Sequence, residues 1–241
     1  TGDVRDGELM NNIIKKNKID CIINLAALIG IPYSYRAPKS YFETNVNGIL
    51  NLLNASNSNN VKKIIHTSTS EVYGTPKYIP IDEDHPVSAQ SPYAASKIAA
   101  DQLALSYHKS FGTPVSIIRP FNTFGPRQSA RAIIPTIITQ ILENKKILRL
   151  GSLHPTRDLT YVDDTTEAFI SMLKSKNGVG EVTNIGSGFE ISMNNLAKKI
   201  ASIMGFKILI KKDPTRIRPK NSEVLRLCAS VKKAQKYLKW K

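Results

Sequence analysis

The 241-residue chain is 41% hydrophobic and 22% charged with a formal net charge of +15, a balance that supports a buried core and excludes a disordered chain. It has no run of 18 apolar residues, and its opening TGDVRDGELM lacks the charged-then-apolar layout of a secretory signal, so a soluble, cytoplasmic protein is expected. The charge is uneven: residues 207–241 hold twelve Lys or Arg against Asp213 and Glu223, a net +10, yet this end has little aromatic interleaving and no nucleic-acid-binding motif, and reads as a solvated surface or a grip on a small phosphorylated ligand.

In chain order, periodic segments that predict helices alternate with apolar runs that predict strands. GELMNNIIKKN precedes IDCIINLAA, YFETNVNGILNLLNASN precedes VKKIIHTST, and SPYAASKIAADQLALSYHKSFG precedes TPVSIIRP. The strands are continuous in Ile and Val, as in a parallel sheet covered on both faces, which predicts a doubly wound α/β fold. Ser91 is placed to cap the third helix, with Pro92 just inside it and Gly112 just past its end. Beyond Pro120 come the helices RAIIPTIITQILENKK and VDDTTEAFISMLKSK, the strand and turn EVTNIGSG, and the helix SMNNLAKKIASIMG. No glycine-rich GxGxxG or GxxGxxG turn is present, which implies a chain that begins part-way into a nucleotide-binding domain, about 60 residues in, and binds a dinucleotide weakly by itself.

The two cysteines, Cys21 and Cys228, have neither metal nor redox spacing and are expected as buried thiols. The four histidines are scattered, with His66 expected to pack beneath a site. Asp163 and Asp164 suit a helix N-terminus, and Asp82, Glu83 and Asp84 read as an exposed loop. No metal site is expected. Chemistry concentrates in PYAASK, where Tyr93 and Lys97 stand four residues apart on one helix face. A nearby cation favours the phenolate of a tyrosine, so the pair can take a proton from a hydroxyl.

With its neighbours, this stretch resembles the extended short-chain dehydrogenase/reductase family, and within it the nucleotide-sugar 4,6-dehydratases. The motifs run in the family's order: GDVRD, NLAAL, ETNVNGILNLL, TSTSEVYG, SPYAASK, RPFNTFGPRQ, PTRDLTYVDD and RIRPKNSEVLRL. The resemblance implies a Rossmann-like sheet that lacks its first unit, with a smaller α/β substrate lobe. Residues 1–121, rejoined by about 159–186, would form the NAD-binding domain, and 122–158 with 187–241 the lobe. It implies NAD as cofactor, contacted by Asp3, Val4, Leu25, Ala26, Ala27, Asn45, Tyr93 and Lys97, a nucleotide-sugar substrate, and a homodimer that binds neither nucleic acid nor membrane.

By the same resemblance Tyr93 is the base at sugar carbon 4, Thr69 holds the same oxygen, Lys97 contacts the nicotinamide ribose and keeps the phenol pKa low, and Glu71 takes the carbon 5 proton. Many relatives carry Asp where this chain has Ser70, so the group that protonates the leaving hydroxyl is left open. Asn122, Arg127, Arg131, Arg157 and Arg218 are the expected substrate contacts, with Arg157 and Arg218 clamping a pyrophosphate. The sequence looks most like enzymes acting on nucleotide-activated N-acetylglucosamine in legionaminic-acid-type pathways. UDP-glucuronate decarboxylase, 4-epimerase and non-catalytic nucleotide binding are the alternatives, and Glu71 counts against an epimerase.

Overall fold

The computed structural model describes residues 1–143 and 146–240. Its strands are β1 (Cys21–Asn24), β2 (Lys63–Thr67), β3 (Val115–Pro120), β4 (Asn122–Phe124), β5 (Ile147–Leu150), β6 (Thr156–Tyr161), β7 (Val182–Ile185), β8 (Glu190–Ser192), β9 (Leu209–Lys212) and β10 (Arg226–Leu227). The helices are α1 (Gly7–Lys16), α2 (Ile31–Ser34), α3 (Pro38–Phe42), α4 (Gly48–Ser58), α5 (Pro92–Phe111), α6 (Ile133–Leu142), α7 (Val162–Lys174), α8 (Met193–Ile203) and α9 (Lys232–Leu238).

The main sheet is parallel, in the order β1-β2-β3-β7. Its central strands are apolar on both faces because helices cover both. Ile64 and Ile117 pack with Ile49, Leu53 and Ala100 of α4 and α5, and Ile65 and Ile118 pack with Ala168, Met172 and Ala234 of α7 and α9. This is the doubly wound, Rossmann-like arrangement, accompanied by a smaller lobe. The lobe holds a second sheet, β10-β6-β4 with β8 antiparallel to β6, and a parallel pair, β5 and β9, packed on α6 and α8. Buried Asp158 on β6 knits three segments by accepting hydrogen bonds from the backbone of Ser187, Gly188 and Ala229.

Helix α5 starts and stops as its sequence dictates. Ser91 accepts from the Ala94 amide at 3.1 Å, Pro92 fills the first position, and Gly112 ends it in the left-handed conformation at φ +69°. Three expectations need correction. The helix predicted through ETNVNGILNLL is broken by a π segment at Glu43–Asn47, where the turn widens around the buried side chain of Asn45. Cys21 is exposed, because it opens β1, whose only partner strand is β2 among the described residues. Glu83 is not a loop charge, since its carboxylate accepts the Asn184 amide of β7 at 2.7 Å. The basic end anchors on the main sheet through its apolar residues: Ala234, Leu238 and Trp240 join the core while Lys232, Lys236 and Lys239 stay exposed, and Trp240 Nε1 donates to the Asp164 carbonyl at 2.9 Å.

The helix predicted after Arg131 spans Ile133–Leu142, and its expected end at 144 and 145 lies outside the described residues. Among the described residues no helix is long and apolar enough to cross a membrane, and no group of His, Cys, Asp or Glu is placed to hold a metal ion.

Candidate active site

Strand β2 delivers three consecutive residues to one face of α5. The Thr67 carbonyl accepts the Lys97 ammonium at 2.5 Å, the Ser68 hydroxyl donates to Asp101 at 2.7 Å, and Thr69 hydrogen-bonds the Tyr93 phenol. Residues 93, 97 and 101 repeat every four positions, so they share a face and meet the strand exit in succession. A network extends behind them. Arg119 of β3 donates to Asp101 at 2.9 and 3.1 Å and to the Tyr73 hydroxyl at 3.0 Å, and Tyr73 donates to Asn184 of β7 at 2.7 Å.

Burial sets the electrostatics. It pushes the Tyr93 phenol well above its ordinary value; the Thr69 hydrogen bond opposes this and the neighbouring Glu71 charge adds to it. Burial likewise pulls Lys97 down to about 8, with Asp101 opposing. The expectation that Lys97 keeps the phenol pKa low is therefore not met in this arrangement. The ammonium is turned to the Thr67 carbonyl, and desolvation dominates at Tyr93. His66, also fully buried, is held well below its ordinary value by desolvation and by Lys97, and so is neutral.

Glu71 lies in the 3₁₀ turn Ser70–Tyr73, which Thr69 caps by accepting the Glu71 amide at 3.3 Å. Its carboxylate faces Arg218, 3.6 Å away. Ser70 is 3% exposed, within the turn rather than on its surface.

Beside this turn opens a cavity of about 370 Å³ lined by Asn122, Gln128, Arg131, Arg157, Arg216 and Arg218, among others. Asn122 Oδ1, Gln128 Oε1 and Arg218 Nη1 are buried without a hydrogen-bond partner, an arrangement that costs stability unless a ligand completes it. The Arg157 guanidinium is held from within the protein: Nη1 donates to the carbonyls of Thr156 and Val224 at 2.9 and 2.8 Å, and Nη2 to the Glu223 carboxylate at 3.4 Å. Arg127 is exposed at φ +66° and stands outside the cavity lining, unlike Arg131.

On the other side of α5 the turn after β1 leaves Leu25 and Ala26 exposed and Ala27 half-buried, and Asn24 fixes it by accepting the Ala26 amide at 3.2 Å. Leu28, just after this turn, packs with Tyr93, so the open apolar turn leads into the Tyr93 cluster. Asn45 does not face outward: its amide grips both the N–H and the carbonyl of Leu28, at 2.9 and 3.0 Å, and reaches Ser96 at 2.9 Å. Its place is behind the turn, which it pins to α5. Asp3 is exposed, with its carboxylate held down to about 2 by hydrogen bonds from Arg5, and it lines an open cleft with Asp6, Glu43 and Asn47. Val4 packs on Gly48, where an added Cβ would come within 2.8 Å of it. Sequence reasoning does not single out Ser68, Asp101, Arg119 or Gln128. Asp101 carries a signal of its own, standing one turn after Lys97 on the same face.

Comparison with known proteins gives the chain its family. Over 213 residues the chain is 39% identical to a dTDP-D-glucose 4,6-dehydratase of Dictyostelium discoideum, covering 84% of the chain and 49% of that relative, so the chain spans about half the length of this curated relative. Two solved structures, each 30% identical, superpose over 100% of the chain. One is a dTDP-glucose 4,6-dehydratase of Bacillus anthracis in complex with NAD (TM-score 0.86, 73% of that chain), and the other a UDP-glucuronic acid 4-epimerase of Bacillus cereus in complex with UDP-glucuronic acid and NAD (TM-score 0.91, 74% of that chain). With the family model for GDP-mannose 4,6-dehydratase matching residues 1–241, the chain belongs to that family.

Proposed function

We propose that the protein, with NAD, converts a nucleotide-activated hexose to its 4-keto-6-deoxy form by loss of water across carbons 5 and 6. The observation that carries this reading is Glu71, a carboxylate at the exit of β2 whose charge is felt by the Tyr93 phenol and which faces Arg218. A 4-epimerase needs a base, its cation and a hydroxyl, which Tyr93, Lys97 and Thr69 supply. A carboxylate beside them has work only if a second proton is moved.

NAD, when bound, supplies the hydride acceptor and the hydride that is later returned. Tyr93 takes the carbon 4 hydroxyl proton while Thr69 orients the oxygen, leaving a ketone that acidifies carbon 5. Glu71 then removes the carbon 5 proton. With Ser70 buried and a poor acid, Glu71 is also the group that gives a proton to the departing carbon 6 hydroxyl, so one carboxylate serves both steps. Reprotonation at carbon 5 uses the proton held by Tyr93, and one water is lost in balance.

The cavity supplies the grip. Arg157 and Arg218 suit a diphosphate, and Arg131 is positioned to join them. Asn122 Oδ1 and Gln128 Oε1 are acceptors awaiting donors, which a sugar hydroxyl or an acetamido N–H provides. Either donor fits, and N-acetylglucosamine as the sugar rests on the sequence resemblance. Mass spectrometry after incubation with NAD and UDP- or GDP-N-acetylglucosamine or dTDP-glucose should show loss of about 18 Da (one water, the mass of the leaving group). Glu71→Gln should lower that turnover about 10²–10⁴-fold while NAD binding persists. An unchanged mass with inversion at carbon 4 sinks the dehydratase reading in favour of an epimerase, and loss of carbon dioxide from UDP-glucuronate favours a decarboxylase.

A further inference from the structure

Among the described residues, Pro32 of α2 is the only member of the cavity lining that comes from before Asn122. The residue before it, Ile31, packs with Tyr41 and Tyr93, so this one short helix touches the base on one side and the cavity on the other. Its two ends are held by different partners. At the start, the Tyr41 hydroxyl donates to the Gly30 carbonyl at 2.5 Å, and the Tyr41 ring meets the Tyr93 ring edge-on with centroids 6.1 Å apart. Just past the end, the Tyr35 hydroxyl is hydrogen-bonded to Ser222, 187 residues further along the chain.

Ser222 is buried, and its hydroxyl donates to the Gln90 carbonyl at 2.6 Å. A serine has one O–H to give, so towards Tyr35 it accepts and the phenol donates. The chain of hydroxyls therefore runs from Tyr35 through Ser222 to Gln90, which immediately precedes Ser91, the cap of the helix that carries Tyr93. The residues after Ser222 hold an arginine of the cavity: the Glu223 carboxylate accepts from Arg157 Nη2 at 3.4 Å, and the Val224 carbonyl from Nη1 at 2.8 Å. Three consecutive residues, 222 to 224, join the start of α5, the end of α2 and the Arg157 guanidinium. We propose that Tyr35 and Ser222 are positioning residues whose hydroxyl chain sets the register of the arginine grip against the Tyr93 phenol; the proposal rests on the reading of Tyr93 as the base and Arg157 as a diphosphate contact.

Tyr35 and Ser222 both stand outside the cavity lining. Their loss leaves each half of the site with its own contacts: Arg157 keeps Thr156, Glu223 and Val224, and Tyr93 keeps Thr69. Only the relation between the halves is released. A substrate still gripped but presented out of line loses kcat and keeps KM, whereas a lost binding contact raises KM. Because both hydroxyls act through one bond, the two losses should also fail to add.

The test compares Tyr35→Phe, Ser222→Ala, the two combined, and Ser222→Thr in the full chain with NAD. Turnover of UDP- or GDP-N-acetylglucosamine or dTDP-glucose is followed by mass, and UDP affinity by calorimetry. Tyr35→Phe and Ser222→Ala should each lower kcat about tenfold or more, with KM and the UDP Kd within about twofold of the parent. The combined variant should fall no more than about twofold below the worse single one, and Ser222→Thr, which keeps a hydroxyl, should stay near the parent. A kcat unchanged in the folded single variants, a loss carried wholly by KM, or losses that multiply in the combined variant overturns the proposal. Should Ser222→Ala fail to fold because Gln90 is released, Tyr35→Phe decides alone, since it removes one hydroxyl from a ring that is 37% exposed. A second readout needs no substrate. The amides of Tyr33 and Ser34, bonded to the Gly30 carbonyl at 2.9 and 3.2 Å, should exchange with solvent about tenfold faster in Tyr35→Phe while the interior of α5 is unchanged. Unchanged exchange at both amides overturns the proposal. Faster exchange in a protein that turns over none of these sugars leaves the Tyr35–Ser222 tie standing and removes the functional reading instead.

Discussion

The two sides of the site are finished to different degrees. Around α5, the polar groups of Ser68, Asp101, Arg119, Tyr73 and Asn184 are chained by hydrogen bonds and sealed from water, and the unmet capacity at Asp101 Oδ1 and His66 Nε2 faces inward, the two atoms standing 3.6 Å apart. In the lobe, the cavity displays Asn122 Oδ1 and Gln128 Oε1, buried without a hydrogen-bond partner, and Arg218, whose Nη1 stands 3.6 Å from the Glu71 carboxylate. The groups that move protons are thus set by the protein itself, and the groups that hold the substrate are left for the substrate to complete. Rigidity in the first region and unmet hydrogen-bonding capacity in the second are what preorganised chemistry with selective binding requires.

Arg119→Met should produce the largest loss of stability, about 3–5 kcal/mol, because it strands the Asp101 carboxylate in the core; denaturant unfolding measures it, and a change below about 1 kcal/mol would mean that the network is not closed as described. Arg218→Ala should instead leave stability nearly unchanged and weaken nucleotide-diphosphate binding about 10–100-fold, the worth of a charged hydrogen bond. Calorimetric titration with UDP or GDP reads it, and equal losses of stability in the two variants would erase the contrast between the regions.

A third measurement uses pH. Lys97 titrates at about 8 in the folded chain against an ordinary 10.5, so between those values the unfolded chain binds more protons and stability rises with pH. The contribution is complete above about 10.5 and is lost as pH falls through 8. Lys97→Met should flatten that rise relative to the parent chain in thermal melts at about pH 8, 9 and 10, and an identical slope in both would place Lys97 in water. The smallest effect belongs to the end of α5: Ser91→Ala removes the cap and should cost about 1 kcal/mol without altering the Lys97 midpoint.

Much of this is legible in the chain. Continuous Ile and Val in VKKIIHT and VSIIRP announce buried parallel strands, Ser91-Pro92 and Gly112 bound α5, and the four-residue spacing brings Tyr93 and Lys97 to one face. What escapes such a reading depends on partners distant in sequence. Ser68 meets Asp101 across 33 residues and Glu83 meets Asn184 across 101, and no local periodicity reports such pairs. The π segment at Glu43–Asn47 is likewise a tertiary effect, since Asn45 is drawn to Leu28 and Ser96 against the helical preference of its neighbours. The apolar surroundings of Cys21 predict a buried thiol, but an apolar run does not reveal which strand lies at an edge.

Strand β3 ends at Pro120 and β4 begins at Asn122, with only Phe121 between them, buried and anchored by its amide to the Ile185 carbonyl of the main sheet at 2.7 Å. At this crossing one buried residue joins β3 of the main sheet to β4 of the lobe, so the strand that carries Arg119 into the core continues directly into the segment that carries Asn122 to the cavity. A disturbance at Phe121 would therefore reach the buried Arg119 network on one side and the wall of the cavity on the other.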